Sequence, residues 1–284
     1  MFSSVTESRL EIFNVADGVE GGEKAPAQNG VQMVFERYLQ PCLAELFGTT
    51  LFVFVGCVSV IGNQGVEGVV QPALAHGLAL GALITVLGEI SGGHFNPAVS
   101  LSLYLCGGME LPLLGPYMVV QMLGGIIGAG LAKAVYPAAL FNAAFGGAFS
   151  AVQLPAQTAG AVVAETVMTL FLTSVVCLGV ANARTRSQMA PLCIGLTLSS
   201  CVLAGGAVSG ACMNPARAFG PAVVANYWNY HWIYWVGPLC GALLTVTFVR
   251  CVLLTVIISY HCIFIIIRSI KFSLLVSSTG CFYI

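Results

Sequence analysis

The chain has 284 residues, 58% of them hydrophobic and only 7% charged, with a net charge of −1 and a mean hydropathy of +0.92. A soluble domain carries roughly 25% charged residues, so this composition excludes an ordinary soluble enzyme and indicates a polytopic membrane protein. The near-zero charge leaves no basic footprint for nucleic acid.

Residues 1–40 are polar, interrupted by Gly and Pro, and acidic through Glu7, Glu11, Asp17, Glu20 and Glu23. They lack the basic start and apolar core of a signal peptide and read as a disordered cytosolic tail. Residues 41–250 form the apolar membrane domain, as two related units at about 41–135 and 160–250. Six apolar stretches run through it, at about 42–62, 70–90, 113–135, 160–181, 190–208 and 232–250. Each approaches the ~20 residues that a helix needs to cross a ~30 Å hydrocarbon core, so the expected fold class is an all-α membrane protein with six transmembrane helices. Arg37, Arg184, Arg186 and Arg250 fall on one side if both termini are cytosolic. Lys133 falls on the other, where it can snorkel to the interface. Tyr227, Trp228, Tyr230, Trp232, Tyr234 and Trp235 form an aromatic belt at the start of the last stretch.

Two copies of one motif stand between the spans. Ser91-Gly92-Gly93-His94-Phe95-Asn96-Pro97-Ala98 is answered by Ser209-Gly210-Ala211-Cys212-Met213-Asn214-Pro215-Ala216. Upstream, Ala44-Glu45 is answered by Ala164-Glu165, and Thr50-Leu51-Phe52 by Thr169-Leu170-Phe171. The copies lie 118 residues apart at Asn and 120 at Glu, which marks a duplicated unit. Each motif continues into an apolar segment too short to cross alone, so two re-entrant half-helices in an inverted repeat are expected to meet and build a pathway. Pro at the first helical position loses no hydrogen bond. Asn before it caps the helix with its side-chain oxygen, which leaves the amide NH2 to donate outward. Two helix N-termini meeting at mid-membrane repel cations, and two Asn donors turn a passing water so that a proton-hopping chain is interrupted. One copy would read as a helix-start signal; two in register point to a pore.

With these motifs the chain resembles the aquaporin (major intrinsic protein) family, over about residues 42–250. It is similar to the aquaporin-8 branch in Gly210-Ala211-Cys212-Met213-Asn214-Pro215-Ala216-Arg217-Ala218-Phe219-Gly220-Pro221 and in Trp228-Asn229-Tyr230-His231-Trp232-Ile233-Tyr234-Trp235. The resemblance implies a homotetramer with one pore per subunit and a selectivity filter at His76, Val202, Ala211 and Arg217. An arginine at that depth is costly and functional by default; a structural Arg217 satisfied by carbonyls, or a packed His76, is the plainer alternative. Ala218 stands where glycerol channels of the family carry Asp, which disfavours glycerol. A filter with His but no facing aromatic is wider, with spare hydrogen-bonding capacity. The permeants implied are water with ammonia and hydrogen peroxide. Glu45 and Glu165 are read as acceptors for the backbone N–H groups of the re-entrant loops, against a proton-relay alternative. Cys212 is a candidate mercurial site if its thiol faces the pore, and an inert packing residue if it does not.

No His, Cys and carboxylate set has metal-ligand spacing and no nucleophile elbow occurs, so neither an enzyme, a metal site nor a cofactor is expected. The 11 cysteines include no CxxC pair and read as small apolar fillers. A secondary transporter would need ion or substrate ligands at mid-membrane, where only amides and small residues stand; a non-conducting member of the same fold is the remaining rival. Residues 251–284 depart from the family as an atypical hydrophobic tail, expected at the membrane surface because spanning would place Arg268 and Lys271 outside. The expected partners are water, small neutral solutes, lipid and other copies of the chain. The expected location is the plasma membrane, with the inner mitochondrial membrane as a second site.

Overall fold

The computed structural model describes residues 30–182 and 185–251, and every regular element in them is helical. The expected tail at 1–29, Arg184 and the atypical stretch 252–284 lie outside the described residues. Helical structure reaches back to Gly30, into the segment expected as tail.

Helix α1 (Gly30–Gly62) carries a widened turn at Phe35–Leu39, where the Gln40 N–H bonds back to Phe35 O. Pro41 causes it: proline brings no N–H and its ring collides with the carbonyl one turn earlier. Helix α2 (Val70–Ser91) ends at Gly92, whose φ of 89° admits the left-handed cap that turns the chain inward. Helix α3 (Pro97–Cys106) has ten residues and is capped by Asn96. Helix α4 (Leu111–Val135) is followed by the short α5 (Ala138–Ala143). Helix α6 (Thr158–Val176) closes in a second wide turn, Cys177–Ala181. Then come α7 (Ala190–Gly205), α8 (Pro215–Ala225), capped by Asn214, and α9 (Ile233–Cys251).

All six apolar stretches are therefore helical, but five helices among the described residues, not six, are long and apolar enough to cross a membrane. The fifth stretch forms α7, whose 16 residues span about 24 Å at 1.5 Å per residue. Gly205 and Gly206 end it in turns rather than carrying it on to 208. The molecule is an integral, multi-pass membrane protein. Leu, Val, Ile and Phe side chains stud the exterior of every long helix, as a protein solvated by hydrocarbon requires, while the buried side contains Glu45, Gln121, Glu165 and Arg217.

Glycine lets the helices approach. A Cβ at Gly124 on α4 would stand 2.9 Å from Thr49 Cβ on α1, and one at Gly241 on α9 would stand 2.7 Å from Thr169 Cβ on α6. The two repeats thus use the same device, small residues where backbones meet in lipid. Contacts also fix which helix ends share a face. Arg37 on α1 pairs with Glu110, just before α4, at 2.8 Å, and Arg250 on α9 donates to Leu105 O on α3 at 2.6 Å. Glu110 accepts from the exposed Arg37 guanidinium with both carboxylate oxygens.

Candidate functional site

The site begins with two buried carboxylates that shape two loops. Glu45 accepts from Ser91 Oγ (2.7 Å) and His94 N (2.9 Å) with Oε1, and from Phe95 N (2.7 Å) and Gln121 Nε2 (2.8 Å) with Oε2. Glu165 accepts from Ser209 Oγ (2.7 Å) and Cys212 N (2.8 Å) with Oε1, and from Met213 N (2.7 Å) with Oε2. Tyr117 OH donates to Ser91 O at 2.7 Å, and Tyr234 OH to Ser209 O at 2.8 Å. These bonds satisfy loop groups that have neither water nor a helix ladder to bond, as buried backbone requires. They also hold Phe95 at φ 47° and Met213 at φ 53°, a left-handed conformation that non-glycine residues adopt only where the surroundings impose it.

Held so, the loops set α3 and α8 end to end. Asn96 Oδ1 accepts from Ala98 N at 2.9 Å, and Asn214 Oδ1 from Ala216 N at 2.9 Å and Arg217 N at 3.3 Å. The amide nitrogens are not wholly free, as the sequence led one to expect. Asn96 Nδ2 donates to Met213 O at 2.8 Å, and Asn214 Nδ2 to Phe95 O at 2.9 Å. Those carbonyls are exposed to the opposite motif because Phe95 and Met213 are left-handed. An amide NH2 carries two hydrogens, so one on each Asn locks the motifs together and one remains. Both Asn line a narrow cavity of about 20 Å³ walled by Phe52, Ile84, Val176, Val180 and Leu198. A water needs ~10–15 Å³ of such volume, so the cavity has room for only one or two waters.

A second, wider cavity of about 230 Å³ shares Phe52, Leu198 and Cys212 with the first, and His76, Val202, Ala211 and Arg217 all line it. The two cavities therefore adjoin. Arg217 is 1% exposed. Its Nη1 donates to Gly147 O at 3.0 Å, its Nε to His76 Nε2 at 3.2 Å, and its guanidinium lies 4.8 Å from the Phe149 ring centre. Nη2 has no protein partner, which for a buried donor beside a cavity is the place for a water.

His76 Nδ1 lies 2.7 Å from Pro72 O. A carbonyl can only accept and Arg217 Nε can only donate, so both bonds require the neutral ring with its proton on Nδ1. Both ring nitrogens of His76 are therefore engaged within the protein, and Arg217 Nη2 is left as a spare donor on this cavity. Cys212 borders both cavities at 4% exposure and its thiol donates to Asn214 O at 3.0 Å.

Phe149, Gly147 and Gln121 were not singled out from the sequence. Gln121 carried a usable signal, an uncharged polar side chain alone in an apolar span. Phe149 and Gly147 carried none, because their role follows from how the loop after α5 folds over Arg217. Among the described residues no group of three His, Cys, Asp or Glu is placed to hold a metal.

Comparison with known proteins agrees with this architecture. The Major intrinsic protein family profile matches residues 32–249. The chain is 55% identical to Aquaporin-8 of Rattus norvegicus over 216 residues, which covers 76% of this chain and 82% of the rat protein. It is 39% identical to Aquaporin TIP1-2 of Zea mays, over 70% of this chain and 80% of that one. The crystal structure of the aquaglyceroporin from Plasmodium falciparum superposes with a TM-score of 0.65 at 24% identity, covering 74% of this chain and 95% of that one, a likeness of fold. The chain belongs to the major intrinsic protein family, the aquaporin channels for water and small solutes.

Proposed function

We propose that the chain is a passive pore in which α1, α2, α4, α6, α7 and α9 span the membrane and α3 and α8 form two re-entrant half-helices. The observation that carries this reading is that two cavities adjoin, the larger bordered by Arg217 and the smaller by both Asn amides. A water entering the wide cavity meets Arg217 Nη2, passes His76, Val202 and Ala211, and then reaches the remaining N–H of Asn214 and Asn96. Those donors hold its oxygen, so its hydrogens face away from the pore centre and no proton wire crosses it. Metal and hydrated alkali cations are excluded by the Arg217 charge and by the N-terminal dipoles of α3 and α8.

Small apolar walls at Val202 and Ala211 admit solutes of about the size of water, and ammonia and hydrogen peroxide are assigned as further permeants. Catalysis forms no part of this function. Pro97, Ala98, Pro215 and Ala216 let the half-helix starts approach, and Glu45 and Glu165 support the loops that deliver them. The unit of assembly is a homotetramer with one pore in each subunit, and both termini are cytosolic in the plasma membrane. The inner mitochondrial membrane is the second location assigned.

Stopped-flow shrinkage of proteoliposomes tests the reading. Fast shrinkage with a low activation energy is the expected result; a rate equal to that of empty liposomes would sink it. A saturable rate coupled to an ion gradient would favour a transporter instead. Hydrogen peroxide and ammonia entry, each measured against the same empty liposomes, tests the solute assignment separately.

A further inference from the structure

The link between α6 and α7 reads Arg184-Thr185-Arg186-Ser187. Of all the serines and threonines in the chain, only Ser187 stands three positions after an Arg or Lys, and a second arginine directly precedes it. That is the pattern read by arginine-directed serine kinases, whose acidic clefts pair with guanidinium groups ahead of the accepting hydroxyl. No Asp or Glu follows Glu165 in the sequence, so the charge along this stretch is wholly positive. Arg186 and Ser187 are both exposed. They stand at the basic end of the molecule. A Cβ at Gly108, just past α3, would lie 3.1 Å from Ala181 Cβ, so the turn leading into the link sits beside the end of α3. Arg250 donates to Leu105 O at that same end, and Arg37 pairs with Glu110 two residues beyond Gly108. Arg37, Arg186 and Arg250 therefore share one face, which the positive-inside tendency places in the cytosol, where ATP and kinases are found.

The link is tied to the cavity wall. Ser187 N donates to Gly179 O at 3.0 Å, and Thr185 Oγ1 donates to Leu178 O. Both carbonyls belong to the wide turn Cys177–Ala181, and Val180 of that turn lines the smaller cavity. Single wide turns of this kind interrupt the regular ladder and recur at functional positions. Ser187 Oγ accepts from Met189 N at 3.1 Å, immediately before α7. The hydroxyl thus stands between the carbonyl end of α6 and the N–H end of α7. A phosphate there carries about −1.5 to −2 charges. The start of α7 and Arg186 attract it, while the carbonyls of Leu178 and Gly179 repel it.

We propose that Ser187 is a phosphorylation site for an arginine-directed protein kinase, and that its phosphate releases the Cys177–Ala181 turn and raises flux past Val180. Ser187 Oγ attacks the γ-phosphorus of ATP and forms the new P–O bond. The bond from that phosphorus to the bridging oxygen breaks, ADP leaves with the electron pair, and the hydroxyl proton passes to the base of the kinase. The phosphate then draws Ser187 towards α7 and Arg186, away from Gly179 O, so the hydrogen bond that pins the turn is lost. The flux part of this proposal rests on the channel function proposed above, whereas the modification site does not.

The full-length protein in detergent would be incubated with magnesium ATP and the catalytic subunit of cyclic-AMP-dependent protein kinase, and its phosphopeptides mapped by mass spectrometry. The expected product carries one phosphoryl group on Ser187, is absent from Ser187→Ala, persists in Thr185→Val, and is removed by a phosphatase. Arg184→Ala should lower its yield severalfold. The treated and untreated proteins would then be reconstituted for stopped-flow shrinkage. Phosphorylation should speed the parent severalfold, phosphatase should reverse the gain, and Ser187→Ala should not respond to the kinase. Phosphate found only at other residues, or an equal yield from Ser187→Ala, would overturn the site. A phosphorylated Ser187 with unchanged or slower flux would overturn its coupling to the turn. Slow shrinkage of the untreated parent itself would count against the channel reading and leave the mapping result standing.

Discussion

The two re-entrant loops share a frame and differ in what they carry. In both, a buried glutamate collects a serine hydroxyl and two consecutive backbone N–H groups, a tyrosine holds the serine carbonyl, and an asparagine caps the half-helix. The first loop adds Gln121, which bridges Glu45 Oε2 and Ser100 Oγ at 2.8 and 2.9 Å; no side-chain amide bonds Glu165 among the described residues. Directly after the capped motif stands Val99 in the first copy and Arg217 in the second. Duplication thus supplied the support twice, while the charge proposed to discriminate between permeants was placed once, on the side of the larger cavity.

That comparison can be broken most directly at the carboxylates. Glu45→Ala or Glu165→Ala leaves three or four buried donors unpaired at ~1–3 kcal/mol each, a large part of the ~5–15 kcal/mol that stabilises a typical fold. Neither variant should be recovered as a monodisperse peak in detergent; recovery of both with unchanged melting would remove the structural role assigned to them. Glutamine in their place separates the two loops. At position 45 the new NH2 can donate to Gln121 Oε1, which is buried and unpartnered, once the Gln121 amide turns over. At position 165 no such acceptor stands among the bonded partners, so Glu165→Gln should melt lower than Glu45→Gln by the equivalent of about 1–3 kcal/mol. The reverse order would show that Gln121 does not distinguish the loops.

Arg217→Val gives the second half the residue of the first. Cation leakage through proteoliposomes should rise by about tenfold or more, the equivalent of at least ~1.4 kcal/mol of barrier, with water flux retained. An unchanged leak would place the charge barrier elsewhere, at the paired helix termini. A smaller effect is expected at Gly56, where a Cβ would stand 2.5 Å from His76 Nε2 and 2.9 Å from Arg217 Nε. Gly56→Ala must push one of those side chains towards the cavity, and stopped-flow shrinkage should slow severalfold without loss of the fold. Normal flux in a folded Gly56→Ala protein would mean that the pair yields in another direction.

Much of this was legible in the residues. A low charge content and six apolar stretches specify a helical membrane protein because hydrocarbon leaves a backbone no other partners. Ser-Gly-x-x-x-Asn-Pro-Ala written twice specifies two capped helix starts, since Asn and Pro are the residues that suit those positions and the repeat gives each a counterpart. The isolated glutamates in α1 and α6 marked themselves by being charged where charge is expensive.

What the sequence left open was decided by three-dimensional arrangement. That each Asn amide spends one hydrogen on the opposite motif depends on Phe95 and Met213 being left-handed, which only the glutamate-bound loops impose. His76 loses its free nitrogen because Arg217, 141 residues away, reaches it across the cavity. Phe149 and Gly147 come to Arg217 through a loop whose apolar residues carry no pattern of their own. Periodicity and capping are local, so sequence determined the helices and their starts; hydrogen bonds between distant segments are not, so tertiary structure alone settled which donors the pore keeps.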